Sequence, residues 1–265
     1  MVGHHGSLVI VDILSKKILA AHQLELAAHL KTPPGSTLKP FVLMALLDSG
    51  KIDPAQPLIC RRPLTIGSVK MNCSHPISIT ELNAEEAIAY SCNSYFAQVG
   101  LRLSPEELVQ IFRRHGFASP SGLTTDEATG QIELPRSYEA LQLEVLGDRG
   151  IEVTPLELLE AYRGLGERKL KGDIRNDGPV FAGLEESVTY GMAHGANFEN
   201  WKIAGKTGTA ASISAARTHG FFVGYAPAEK PRMAIVLYLE NGRGMDAAAL
   251  AKPVLAEFAR VGRER

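Results

Sequence analysis

The sequence predicts an α+β fold: a five-stranded antiparallel sheet flanked by helices, with a mainly helical second lobe. Three observations carry this. Short runs rich in Val, Ile, Phe and Tyr lie at both ends of the chain. Helix start signals fill the middle. Strands at both termini with helices between them imply an antiparallel sheet in which the first and last strands meet.

In chain order, Ser7 to Ala21 reads as two strands joined by a turn at Ser15-Lys16-Lys17. Pro33-Pro34-Gly35 forces a turn, and Thr37 to Leu47 has helical spacing. Ser78-Ile79-Thr80-Glu81 offers a capping box that opens a helical stretch from Ile79 to Tyr90, and another helix starts near Ser94. Ser104-Pro105-Glu106-Glu107 and Thr154-Pro155-Leu156-Glu157 each place a capping hydroxyl first, Pro at the first helical position and Glu three residues on. Trp201 to Ala210, Thr218 to Tyr225 and Arg232 to Leu239 read as three further strands, followed by a helix from about Asp246 to Arg260. The expected organisation is one domain over 1–265. Its sheet lobe takes roughly 1–50 and 200–265, and its helical lobe roughly 51–199. A cleft between the two is the natural site.

Composition narrows the function. The chain has 265 residues, 45% hydrophobic and 22% charged, with net charge -1. That balance gives no basic stripe for nucleic acid and no basic amphipathic helix for a membrane surface. The apolar run Leu8 to Leu14 is short and carries Asp12, so no secretion signal is expected, and Phe41 to Leu47 is too short to span a bilayer.

Three motifs can carry chemistry. In Pro34-Gly35-Ser36-Thr37-Leu38-Lys39, Ser36 sits at a helix start and Lys39 lies three residues on, so the two share a face. A serine needs an adjacent base to become a nucleophile, and a lysine serves only if burial or a second cation lowers its pKa. Ser-x-x-Lys arises by chance about once in a chain of this size, so alone it reads as a helix cap. Ser91-Cys92-Asn93 lies between helices. There Ser91 and Asn93 can face a cleft while Cys92 faces the lobe behind; alone it is an ordinary linker. Lys206-Thr207-Gly208-Thr209 lies on a predicted strand, with Lys206 and Gly208 on one face and Thr207 and Thr209 on the other. Gly208 lets backbone approach a ligand, the strand edge offers N–H groups for an oxyanion hole, and Lys206 supplies the second cation beside Lys39. Alone it is a glycine-rich edge strand with a solvated Lys.

In this order the three motifs resemble those of penicillin-binding proteins and serine β-lactamases. The likeness extends to Gly6–Asp12, to Ser91-Cys-Asn-Ser-Tyr-Phe96, to Gly150–Leu158 and to Phe222-Val-Gly-Tyr-Ala-Pro227, and so covers residues 6 to 260. It implies a class B-like D,D-transpeptidase fold. Ser36 is then acylated by the penultimate D-Ala of a peptidoglycan stem peptide, and Lys39 takes its proton. Ser91 passes a proton to the leaving amine, Asn93 binds the donor peptide and Lys206 supports the electrostatics. Thr207 and Thr209 hold the substrate carboxylate beside Gly208. The N–H groups of Ser36 and Thr209 form the oxyanion hole. β-Lactams acylate Ser36 in the same way. A D,D-carboxypeptidase, a serine β-lactamase and a β-lactam sensor share this set and stay open.

The resemblance also implies an extracytoplasmic location. Transpeptidases of the family usually carry an N-terminal membrane anchor and a pedestal domain; neither is expected within residues 1–265, and a glycosyltransferase or membrane partner would be reached through such segments. No cofactor is required for catalysis. Cys60, Cys73, His75 and Cys92 form a Cys₃His set suited to a structural zinc. A hairpin over Pro63–Asn72 would bring Cys60 and Cys73 together, as in some elongation-type class B transpeptidases. A Cys60–Cys73 disulfide or three free thiols are the alternatives. His4 and His5 fall in an expected disordered start, and His22, His29, His115 and His194 lie outside ligand spacing; His219, before a strand near the third motif, reads as a packing residue, with a place lining the cleft as the alternative.

Overall fold

The computed structural model describes residues 5–199, 201–211 and 217–261. His4 and the residues before it lie outside this set. Five strands form one antiparallel sheet: β1 Gly6–Asp12, β2 Ile18–His22, β3 Ala204–Ala211, β4 Thr218–Ala226 and β5 Met233–Leu239, in the order β2-β1-β5-β4-β3. The first strand meets the last, with Gly6 opposite Leu239 and Asp12 opposite Met233. The strand expected from Trp201 begins at Ala204.

Side-chain alternation sends the two faces of the sheet to two cores. Leu8, Ile10, Phe222, Ile235 and Leu237 pack on one face with Ala247, Ala248, Ala251 and Leu255 of a C-terminal helix, Gly244–Val261. Val9, Val11, Phe221, Val223, Tyr225 and Val236 join the larger core on the other face. Nine helices occur among the described residues: α1 Leu24–His29, α2 Lys39–Asp48, α3 Ala84–Ala89, α4 Asn93–Val99, α5 Pro105–Arg114, α6 Tyr138–Val145, α7 Pro155–Lys171, α8 Gly178–Thr189 and α9, the C-terminal helix. The long α7 lies against β1, β4 and β5. The middle of the chain therefore covers the sheet as well as building the helical side. Every residue of α2 but its last is buried, because α2 runs through the middle of the larger core.

The capping boxes at Ser104/Glu107 and Thr154/Glu157 form as the spacing predicts. The one expected at Ser78 does not. Glu81-Leu82 pairs instead with Leu58-Ile59 in a short ladder, and α3 starts three residues later. Asn83 is its cap: the Asn83 carboxamide accepts the Glu86 N–H, and the Glu86 carboxylate accepts the Asn83 N–H. Both boxes fit the sequence locally, and strand pairing decides between them. The Pro63–Asn72 hairpin is present, with Thr65-Ile66 paired to Val69-Lys70. No helix among the described residues is long and apolar enough to cross a membrane.

Candidate active site and a cysteine–histidine cluster

The segment before α2 is fixed by its backbone. Thr32 pairs with Val153, and the Gly35 N–H donates to the Gly147 carbonyl at 2.9 Å. Gly35 has φ +59°, and a Cβ there would lie 2.9 Å from the Thr209 nitrogen and 2.7 Å from its oxygen. Only glycine fits this approach. Ser36, half-buried, sits in a 3₁₀ turn over Gly35–Leu38 that runs into α2, and its carbonyl accepts the Lys39 N–H. The Thr37 hydroxyl donates to the Pro34 carbonyl at 2.9 Å, and the Tyr162 hydroxyl donates to the Thr37 carbonyl at 2.8 Å. Gly208 lies against this same turn: a Cβ there would meet the Pro34 carbonyl and sit 2.8 Å from the Thr37 methyl. Its small size admits the turn, where the strand pattern alone suggested a ligand.

Lys39 is fully buried. Its ammonium donates to Asn93 Oδ1 at 2.5 Å, to the Ser91 carbonyl at 2.8 Å and to Ser91 Oγ at 3.3 Å. Those bonds run to the second motif, where the sequence expects a reach to Ser36. Burial pulls the Lys39 pKa down to about 8, with the Cys92 and Cys73 sulfurs opposing. Lys206 is fully buried too and donates to the Thr207 carbonyl at 3.2 Å. Its pKa falls well below the usual lysine value, first by burial and then by repulsion from Lys39. The sequence reading had Lys206 depressing Lys39. Here burial is the first cause at both lysines, and their mutual repulsion acts in the same direction.

Ser91 has φ +54°, a left-handed residue between α3 and the Cys92 cap of α4. This kink points Ser91 and Asn93 at Lys39 and turns Cys92 into the core, as the motif predicts. Asn93 is fully engaged: Oδ1 accepts from Lys39, and Nδ2 donates to the carbonyls of Met71 at 3.0 Å and Asn72 at 3.5 Å. It ties Lys39 to the loop after the hairpin, whereas the sequence reading gave its amide to a ligand. Thr209 is exposed on the edge strand, and its hydroxyl accepts the Gly244 N–H of α9 at 2.9 Å. Thr207 is buried on the same face, its Cβ against Gly244.

Sequence reasoning missed the groups that hold the Ser36 turn from outside: Gly147, Tyr162 and His219. All act on backbone carbonyls or amides across 112 to 186 residues of chain, as with Gly35–Gly147 and Pro33–His219, and no local spacing records that.

Cys60, Cys73, His75 and Cys92 come together behind the second motif, their ligand atoms within 4.8 Å of one another. The Sγ–Sγ distances are 3.6 Å for Cys60–Cys73 and Cys60–Cys92 and 3.7 Å for Cys73–Cys92, and Cys60 Sγ lies 3.6 Å from His75 Nε2. A tetrahedral zinc with Zn–S of about 2.3 Å needs sulfurs about 3.8 Å apart. A disulfide needs about 2 Å, and all three thiols are free. The donor set fits a zinc ion. Arg62 Nε donates to Cys60 Sγ at 3.2 Å and lends the cluster a nearby positive charge.

A family model described as the penicillin binding protein transpeptidase domain matches residues 6–260. Peptidoglycan D,D-transpeptidase MrdA of Acinetobacter baumannii is 30% identical over 278 residues, covering 84% of this chain and 41% of that protein. Peptidoglycan D,D-transpeptidase PbpA of Mycobacterium tuberculosis is 27% identical over 271 residues, covering 84% of this chain and 53% of that protein. The chain spans about half the length of these curated relatives, or less. Among solved structures, penicillin-binding protein PBP2 of Helicobacter pylori, in complex with MreC, aligns with TM-score 0.85 at 19% identity, over 98% of this chain and 61% of that one. The D,D-transpeptidase domain of a peptidoglycan glycosyltransferase from Eggerthella lenta aligns with TM-score 0.83 at 20% identity, over 98% and 79%. At these identities the two structures establish a shared fold. With the family match running through all three motifs, the chain belongs to the penicillin-binding protein transpeptidase domain family.

Proposed function

We propose that the chain carries out serine-type D,D-transpeptidation on peptidoglycan stem peptides and is acylated by β-lactams. The observation that supports it most is Lys39: a fully buried amine with pKa about 8, one helical turn from Ser36, with Ser91 and Asn93 as partners. A neutral Lys39 takes the Ser36 proton as Oγ adds to the penultimate D-Ala carbonyl. The N–H groups of Ser36 and Thr209 stabilise the oxyanion, a role supported by the backbone contact of Gly35 with Thr209. Lys39 then returns the proton through Ser91 Oγ to the leaving D-Ala nitrogen as the peptide C–N bond breaks, leaving the Ser36 ester. An acceptor amine attacks that ester, loses its proton along the same route, and frees Ser36. Thr209, exposed at the edge, takes the substrate carboxylate with Thr207 behind it, Gly208 keeps the strand close to Ser36, and Lys206 lends field to the site. Water as acceptor gives the carboxypeptidase outcome on the same residues.

The site of action is extracytoplasmic, where relatives named as peptidoglycan transpeptidases find their substrate. A glycosyltransferase or membrane partner is part of the same proposal, in line with the MreC complex of the Helicobacter pylori protein. Cys60, Cys73, His75 and Cys92 would hold a structural zinc. Its chemistry is ligation alone, joining the 60–75 segment to the back of α4.

A fluorescent penicillin tests the reading. The expected result is a lasting one-to-one adduct that the Ser36→Ala variant does not form. Rapid β-lactam hydrolysis assigns a β-lactamase instead, and an undiminished adduct in Ser36→Ala refutes the nucleophile.

A further inference from the structure

His219 is a buried imidazole that the transpeptidation scheme leaves without a role. It sits on β4 opposite Ala210, next to the Thr209–Gly220 pair of the third motif. Its Nε2 lies 2.8 Å from the Pro33 carbonyl and 3.2 Å from the Thr32 hydroxyl. A carbonyl only accepts, so Nε2 carries the proton and donates, which fixes the tautomer. The ring is held by Phe221 and Tyr238, both at 5.7 Å between centroids. Burial lowers its pKa, so the ring stays neutral at neutral pH. This one bond links the strand pair that carries Thr209 to the turn that carries Ser36, three residues before the nucleophile. Thr32 is also tied to Val153 and Gly35 to Gly147 through their backbones, and the ring's polar contacts are the Pro33 carbonyl and, at longer range, the Thr32 hydroxyl.

We propose that His219 is a positioning residue for the oxyanion hole: its Nε2–H clamps the Pro33 carbonyl to β4 and so sets the separation of the Ser36 and Thr209 N–H groups. The inference rests on the acylation of Ser36 proposed above. It predicts an effect on the bond-making step and none on the encounter, because His219 is buried beneath the turn. Displacing one donor of a preorganised pair by a fraction of an ångström is enough to slow acylation.

The test measures saturable acylation by a penicillin in stopped flow, which separates the non-covalent Kd from the acylation rate constant. His219→Gln keeps an amide donor near Nε2, and His219→Met keeps similar volume without a donor. The expected result is a rate constant about 10- to 100-fold lower in Met and within about threefold of wild type in Gln, with Kd unchanged in both. If the Met variant does not fold, His219→Asn replaces it, since its shorter amide stops short of Pro33. The same slow rate constant is expected there. Equal rate constants in the donor and non-donor variants, whether both fast or both slow, overturn the clamp and point to packing. A change in Kd alone overturns it as well. Failure of the wild-type protein to form an adduct lost in Ser36→Ala overturns the Ser36 reading, and the clamp with it.

Discussion

In the proposed mechanism Lys39 sets the pH behaviour of acylation. The ionised form of a buried amine is disfavoured, which is why its pKa lies near 8 rather than the usual 10.5. Acylation needs the neutral amine, so the sign is fixed: the rate rises with pH through about 8 and falls about tenfold per unit below it. Measuring the acylation rate constant from pH 6 to 10 checks this. A rate flat across that range would exclude Lys39 as the base. The residue types and order of this site were legible in the sequence. Spacing offered Ser36, Lys39, Ser91, Asn93 and Lys206 as candidates and their order carried the resemblance; the structure joins Lys39 to Ser91 and Asn93 and buries Cys92 behind them. The partners within the set were not legible. Whether Lys39 bonds Ser36 or Asn93, and how deeply each lysine is buried, depends on distances between segments about 50 to 170 residues apart.

At the level of elements, local chemistry placed helix starts well where nothing competed. Ser104 and Thr154 cap as their spacing requires. Asn83 and Ser78 show the limit: two boxes within nine residues, one of them overridden by the pairing of Glu81-Leu82 with Leu58-Ile59. This gives a discriminating pair of variants. Asn83→Ala should cost about 1 kcal/mol of stability by chemical denaturation. Ser78→Ala, at an exposed position outside the helix, should stay within about 0.5 kcal/mol. Equal losses would mean that the helix starts where the first box suggested. The left-handed Ser91 had no sequence signal at all, since serine carries no general preference for that conformation.

For the molecule as a whole, the Cys₃His cluster sits where the 60–75 segment meets α4, beside the bonds of the Arg61 N–H to Ser94 Oγ and of Asn93 Nδ2 to the Met71 carbonyl. The 60–75 segment contains only two-residue strands, yet it reaches the back of α4 through Cys92 and Lys39 through Asn93 and the Met71 carbonyl. With zinc at that junction, protein purified without chelator should contain about one zinc per chain. Its removal should lower the melting temperature by about 5 °C or more while Ser36→Ala leaves it near wild type. No stoichiometric zinc, or a chelator without effect on melting, would count against the metal. The α+β plan itself was readable because alternation and β-branched runs mark the sheet strands without help from distant residues. The place of α7 on the sheet was not readable, because an amphipathic helix does not state which apolar surface it will meet. The pairing of β1 with β5 has one more consequence. The strand made first lies in the interior of the sheet, between β2 and a strand that ends at residue 239. A chain emerging from the ribosome can form the β1–β2 hairpin early, but that hairpin must wait for almost the entire domain before its open edge is filled. Contacts of such sequence separation make sheet closure a late and slow event. Until then the exposed edge of β1, one of the most apolar segments of the protein, is a site where a chaperone or a second nascent chain can bind.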